Sequence, residues 1–236
     1  MDYKFSIIIR TYNEEKWIKE VMKSIYNQCY KNFEVIVVDS GSTDSTLDIC
    51  NEFDCKIVKI NKSDFNYSYA SNIGAKYSDG DVLCYLSGHS VIKNDDYLEI
   101  ANKLFGDIKV GGVYGDVIAL PDGSIIEKIF HYLGSKKSKL EGRVYENKIH
   151  PGILSCSNAM IRKSIWKNNE FKEELGHGGE DVLMAYFILN EGYKIVKDPN
   201  ILVKHSHGSS LIKFIKEFKD WRMMYNDVLK YIENKN

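Results

Sequence analysis

Four short tracts carry side chains that can do chemistry. The first two are Arg10-Thr11-Tyr12-Asn13-Glu14 and Asp39-Ser40-Gly41-Ser42-Thr43-Asp44. Each follows a compact apolar run, Phe5 to Ile9 and Val35 to Val38, that reads as a buried strand. Ligands of an open parallel sheet bind beyond the carboxyl ends of its strands, so both tracts are expected to face one crevice. An acid at a buried strand end can accept from the ring N–H of a pyrimidine, and the turn at Gly41 leaves backbone N–H groups free. Ser42, Thr43 and Asp44 equally suit a helix N-cap. The third tract, Gly176-His177-Gly178-Gly179-Glu180-Asp181, feeds a helix with Val182, Leu183, Tyr186 and Leu189. A carboxylate there can take the proton from an attacking hydroxyl, although both acids also suit a helix N-terminus. The fourth, Lys204-His205-Ser206-His207, sets two imidazoles beside a lysine, a cationic group suited to a diphosphate or, through the rings, to a metal.

The elements that position these tracts follow from periodicity. Helices are expected at about 15–27, 43–53, 67–77 and 96–105, alternating with strands at 5–9, 35–38, 56–60, 81–86 and 113–120. Such alternation predicts an α/β domain on a largely parallel sheet. Pro121-Asp122-Gly123 ends the last of these strands. Residues 134–152, with five lysines and arginines against two glutamates, read as a mobile basic loop. A strand is expected from Ile153, then a helix at 180–191, a strand at 194–197 and an amphipathic C-terminal helix at 210–233 flanked by Lys213, Lys216, Lys219 and Arg222. That helix suits docking on the core or a second subunit, or contact with a membrane surface.

Composition narrows the function classes. The 236 residues are 44% hydrophobic and 28% charged, which supports a sizeable core and excludes a disordered chain. A net charge of -1 provides no global field for nucleic acid. The five scattered cysteines form no CxxC pair, which argues against a disulfide framework or a cysteine zinc site. The apolar stretch near Met1 is too short for a secretory leader, no run reaches the ~18 residues of a membrane span, and a cytoplasmic setting is expected, with the inner membrane face open to it. The sequence contains neither GxGxxG after the first strand nor GxxxxGK[ST], so a dinucleotide-binding domain and a P-loop are disfavoured and no organic cofactor is expected.

The order and spacing of Ser6 to Glu14, Val37 to Asp44, Asn72-Ile73-Gly74-Ala75 and Gly80-Asp81 resemble the inverting glycosyltransferases of family 2, which have the GT-A fold. The resemblance spans nearly the whole chain and implies one domain, with a nucleotide-sugar half at about 1–120, an acceptor and catalytic half at about 121–208, and the C-terminal helix at about 209–236. It implies that Thr11, Tyr12 and Glu14 surround the nucleoside, that Asp39 receives a uracil or thymine ring, with Ser40 beside it in place of the second acid that family members usually carry, and that Asn72 and Gly74 run under the nucleotide. Asp181 matches the catalytic base with Glu180 as its neighbour, and Ser157 and Asn158 match the acceptor pocket. Trp166 suits either a sugar platform or the core.

One departure stands out. Where the family places an Asp-x-Asp that chelates Mn2+ or Mg2+, this chain reads Ser87-Gly88-His89. Mn2+ also accepts imidazole, so His89, with His205 and with His207 in reserve, becomes the candidate metal ligand, or a direct donor to the diphosphate. The expectation is an inverting transferase that moves a hexose or deoxyhexose, rhamnose among them, from a UDP- or dTDP-sugar to a glycan or lipid-linked glycan acceptor. The competing reading is a nucleotide-sugar or glycan binding module that lost catalysis with its metal carboxylates.

Overall fold

The computed structural model describes residues 2–175 and 178–235. Its first half runs β1 (Phe5–Thr11), α1 (Ile18–Tyr26), β2 (Phe33–Asp39), α2 (Thr46–Cys50), β3 (Lys56–Lys59), α3 (Tyr67–Lys76), β4 (Val82–Ser87), β5 (Val91–Ile92) and α4 (Tyr97–Phe105). The second runs β6 (Val110–Ile118), α5 (Ile125–Glu141), β7 (Val144–Glu146), β8 (Ala159–Arg162), α6 (Lys163–Asn168), α7 (Glu180–Asn190), β9 (Lys194–Lys204) and α8 (Leu211–Glu233). The strands form one sheet in the order β3-β2-β1-β4-β8-β6-β9-β5, with β7 on β9.

The helices cover both faces of this sheet, so the central strands are continuously apolar. Along β1, Ile7 and Ile9 join one core with Ile18, Val21, Met22 and Ile25 of α1, and Ile8 points to the other with Tyr85 and the apolar residues of α7. At Gly74 a Cβ would lie 2.3 Å from Ile8 Cγ2, which is why α3 can approach β1 so closely. Register brings the strand ends together: Thr11 lies opposite Asp39, and Arg10 opposite Ser87. The loops after β1, β2 and β4 therefore emerge along one edge.

Beyond β4 the sheet becomes mixed. β8 is antiparallel to β4 and β6, and β9 is parallel to β6 but antiparallel to β5 and β7. The parallel expectation holds for β1 to β4 and for the β6–β9 pair. Four local expectations are also corrected. Residues 134–141 belong to α5 instead of a loop, because Ser124 and Glu127 form a capping box that fixes the helix start. The strand expected from Ile153 begins at Ala159, since Leu154 sits in a turn at φ 52. The second helix is shorter than expected, Thr46–Cys50, and the strand expected at 194–197 continues to Lys204.

The C-terminal helix lies on the rest of the chain. Val228 and Phe214 of α8 are buried, and Phe214 and Phe218 pack edge-on against Phe130 of α5. Ile215, Phe218 and Trp221 stay substantially exposed along this face. No helix among the described residues is long and apolar enough to cross a membrane.

Candidate active site

A cleft of about 1570 Å³ opens at the shared strand edge. One wall comes from the loops after β1, β2 and β4; the other comes from residues 155–157, the turn before α7, His205 and His207, and the facing sides of α5 and α8.

The first wall is a pair of interlocked loops. Asn13, held at φ 53, accepts from the Thr43 amide through Oδ1 at 2.8 Å, and its own amide donates to Ser42 Oγ at 2.9 Å. The Glu14 amide donates to Thr46 Oγ1 at 2.7 Å, and the Glu15 amide to Asp44 Oδ2 at 3.1 Å. These cross-braces hold Thr11, Tyr12, Glu14 and Ser40 on the cleft surface. Tyr12 is 37% exposed, and Lys62 Nζ lies 4.4 Å from its ring centre, so a flat, partly cationic ledge faces the cleft. Thr11 Oγ1 is buried with no hydrogen-bond partner among the described residues.

A carboxylate cluster forms on the opposite wall, at the first turn of α7. Gly178 (φ 135) and Gly179 (φ 91) make the left-handed turn that no other residue enters cheaply, and α8 packs on it: a Cβ on Gly178 would lie 2.7 Å from Met224 Sδ. Glu180 Oε1 meets Arg10 Nη1 at 3.4 Å, both side chains being nearly buried. Arg10 also donates to the Cys156 carbonyl at 3.2 Å and to Ser71 Oγ at 3.3 Å, and stands over the Tyr67 ring. Beside this pair, burial and then the neighbouring charge of Glu180 push the Asp181 carboxyl up to about 8. Two adjacent acids are thus differentiated by their surroundings: one paired with Arg10, the other poised to exchange a proton near neutral pH.

At the third corner lie three imidazoles. The antiparallel pairing of β5 with β9, Val91 opposite Lys204, brings the turn at 88–90 beside residues 205–207. The His89 and His205 rings stack at 4.5 Å, and His207 meets them edge-on at 5.1 and 4.8 Å. The His205 amide donates to the Ile118 carbonyl and the His207 amide to Glu127 Oε1, so α5 and β6 fix this segment. Glu14 Oε1 accepts from His89 Nδ1 at 2.7 Å. Burial, then His89 and His207, drives His205 well below the usual histidine range, and His207 is lowered chiefly by burial. One ring nitrogen from each histidine lies within 4.8 Å of the others, and His89 Nε2 is buried without a partner among the described residues. An orphaned, oriented imidazole nitrogen beside two neutral rings fits a divalent cation that accepts nitrogen ligands.

The family model for glycosyl transferase family 2 matches residues 6–168. The chain belongs to this family, and it is a glycosyltransferase. The O-antigen chain rhamnosyltransferase RfbN of Salmonella typhimurium is 27% identical over 87% of this chain and 67% of its own length. The minor teichoic acid biosynthesis protein GgaB of Bacillus subtilis is 28% identical over 93% of the chain, which spans only 25% of that protein. Among solved structures, the mannosyltransferase PcManGT of Pyrobaculum calidifontis, in complex with GDP-Man and Mn2+, superposes with a TM-score of 0.66 at 22% identity, over 87% of this chain and 57% of its own. S. aureus TarS 1-349 with UDP-GlcNAc gives 0.64 at 20% identity, over 88% and 59%. These likenesses show the GT-A fold.

Within that fold, several residues assigned by resemblance to the family do not reach the cleft. Asn72 is buried: its Oδ1 accepts from Trp166 Nε1 and the Phe171 amide, and its Nδ2 donates to the Phe171 carbonyl. It is a strut between α3 and the 166–171 segment, and Trp166 is core. Asn158 is likewise consumed, accepting from Tyr97 Oη and donating to the carbonyls of Asp116 and Ile201. Gly74 serves packing. Asp39, 1% exposed, accepts from the amides of Gly41 and Ser42, so it shapes the loop behind the wall instead of lining it. Gly88 works by its smallness, since a Cβ there would lie 2.7 Å from Glu14 Cγ and 2.8 Å from Thr11 Oγ1. Ser87, His89, Ser157, Glu180, Asp181 and His205 do line the cleft. Gly176 and His177 of the glycine tract lie outside the described residues. Sequence reasoning gave no role to Arg10, although an arginine at an otherwise apolar strand end was a signal, and it ranked His207 behind His205, although the two are equal members of the cluster.

Proposed function

We propose that this glycosyltransferase moves a sugar from a UDP- or dTDP-sugar, rhamnose being the favoured case, to a glycan acceptor in polysaccharide biosynthesis, with inversion at the anomeric carbon. The observation that carries this is Asp181, a carboxyl pushed up to about 8 in the wall of a cleft whose opposite wall is the family's nucleoside loop. In this reading deprotonated Asp181 takes the proton of an acceptor hydroxyl as that oxygen bonds to the anomeric carbon. The bond from that carbon to the diphosphate breaks, and the nucleoside diphosphate leaves with the electron pair. One such displacement inverts the centre. Arg10 bridges Glu180 and the Cys156 carbonyl and so keeps Asp181 in place.

Thr11, Tyr12, Ser40 and Lys62 hold the nucleoside, and Ser157 orients the acceptor. A divalent cation held by the histidine corner would supply charge neutralisation for the departing diphosphate. The donor half is the part through β6, about 1–120, and the acceptor half the part after it, about 121–208. Rhamnosyltransferase and teichoic acid relatives support a surface-glycan acceptor. The exposed Ile215, Phe218 and Trp221 beside Lys219 and Arg222, all at the cleft, support one carried on a lipid, met by α8 at the inner face of a membrane.

Calorimetric titration with UDP, dTDP, GDP and CDP, each with and without Mn2+, tests the donor side. UDP or dTDP should bind at least tenfold more tightly than GDP, and the matching sugar nucleotide should support transfer to a lipid-linked oligosaccharide. Binding of none of the four would refute the reading.

A further inference from the structure

We propose that His89, His205 and His207 form an all-imidazole metal site selective for Zn2+ and Co2+, with Mn2+ weaker and Mg2+ excluded, and that Glu14 is its positioning carboxylate. The location of the diphosphate beside it rests on the function proposed above; the metal preference does not.

Three observations support the site independently. The first is convergence: a nitrogen from each ring lies within 4.8 Å of the other two, although the residues come from two separate segments. The second is orientation. A carboxylate only accepts, so the 2.7 Å contact with Glu14 Oε1 places the His89 proton on Nδ1 and leaves the lone pair on Nε2. That is the carboxylate–imidazole–metal relay by which ligating histidines are usually aimed. The third is vacancy of partners: His89 Nε2 is buried and accepts from nothing among the described residues, an arrangement that costs free energy unless something binds there.

The ligand set then decides the ion. Mg2+ demands oxygen donors at near-octahedral geometry, and the residues grouped here offer only imidazole nitrogen. Imidazole suits Zn2+ and Co2+, and affinity for such ligands falls towards Mn2+. Three protein ligands leave positions for outside oxygens, as catalytic zinc sites do. Neutral ligands also leave the ion its full double charge, whereas a pair of aspartates would cancel it. Gly88 belongs to the device, because any side chain there would push Glu14 away from His89.

The test uses the whole purified chain after chelator treatment. Titration with Co2+ should give visible absorption bands saturating at one ion per chain, displaced by stoichiometric Zn2+ but not by a hundredfold excess of Mg2+. His89→Ala and His207→Ala should each weaken Zn2+ binding at least tenfold by calorimetry, and Glu14→Gln by about 10–100-fold. Circular dichroism should show all three variants folded. Repeating the series with UDP present covers a site completed by phosphate oxygens. Equal competition by Mg2+, unchanged Co2+ uptake in the histidine variants, or no uptake with or without UDP would each overturn the proposal. Nucleotide binding and transfer that persist without Co2+ uptake would overturn the metal site alone; Co2+ uptake with no nucleotide binding would overturn the transferase chemistry alone.

Discussion

The cleft holds two groups of titratable side chains, and one physical force acts oppositely on them. Desolvation favours the neutral form of either kind of group. At the α7 end it raises Asp181 to about 8; at the β5–β9 end it lowers His205 and His207. Neighbouring charge reinforces both shifts, through Glu180 in the first case and the other rings in the second. The result is a carboxyl that can gain or lose a proton near neutrality at one end and free lone pairs at the other. What separates the two ends is the placement of the counter-ion: Arg10 sits inside the carboxylate group, whereas Glu14 stands behind the imidazoles and touches one ring only.

The largest effect expected from breaking this arrangement is on turnover. Asp181→Asn should reduce transfer by about 10²–10⁴-fold while donor affinity stays within twofold, measured by kcat and calorimetry. In the parent, kcat/KM should rise through a pH near 8, and Glu180→Gln should move that limb to lower pH. The sign for stability is the reverse of an ordinary carboxylate's. Because the folded chain holds the Asp181 proton above the ordinary aspartate value of 3.8, the stabilisation is full below that pH and lost as pH climbs through about 8. Thermal denaturation of Asp181→Asn should therefore decline less than the parent between pH 6 and pH 9. An identical decline would mean that Asp181 titrates in its ordinary range.

Next in size is the ion pair itself. Arg10→Met leaves Glu180 nearly buried without a partner and should cost about 3–5 kcal/mol in denaturant unfolding. Arg10→Met with Glu180→Met should regain most of that loss; no recovery would show that the Ser71 and Cys156 contacts of Arg10 matter more than its charge. The smallest effect separates packing from binding. Asn72→Ala should cost about 1–3 kcal/mol of stability with nucleotide affinity within twofold. Lost affinity at unchanged stability would return Asn72 to the nucleotide wall.

The legible parts of this molecule were those governed by local pattern. Buried apolar runs and helical periodicity marked β1 to β4 and their helices, and the register of those strands fixes where their loops meet. The second half is built from pairings such as β4 with β8 and β6 with β9, which join residues far apart in the chain and leave no periodic trace. Even so, Ser124 and Glu127 announced α5, and the basic composition of the following residues obscured them. At the site, chemistry-bearing types near strand ends were readable, but what each side chain touches was not. Asn72 and Asn158 have the right character for sugar or nucleotide contacts, yet both satisfy buried backbone. His207 gains its place only because β9 turns back beside β5.

Arg10 and Glu180 are 170 positions apart, and His89 meets His205 and His207 across more than a hundred. A molecule that touches both walls therefore binds nothing until the two halves have come together. Its binding energy then becomes folding energy for the entire chain, about 2.7 kcal/mol at a hundred times its dissociation constant. Donor concentration would set how long the protein survives as well as how fast it works.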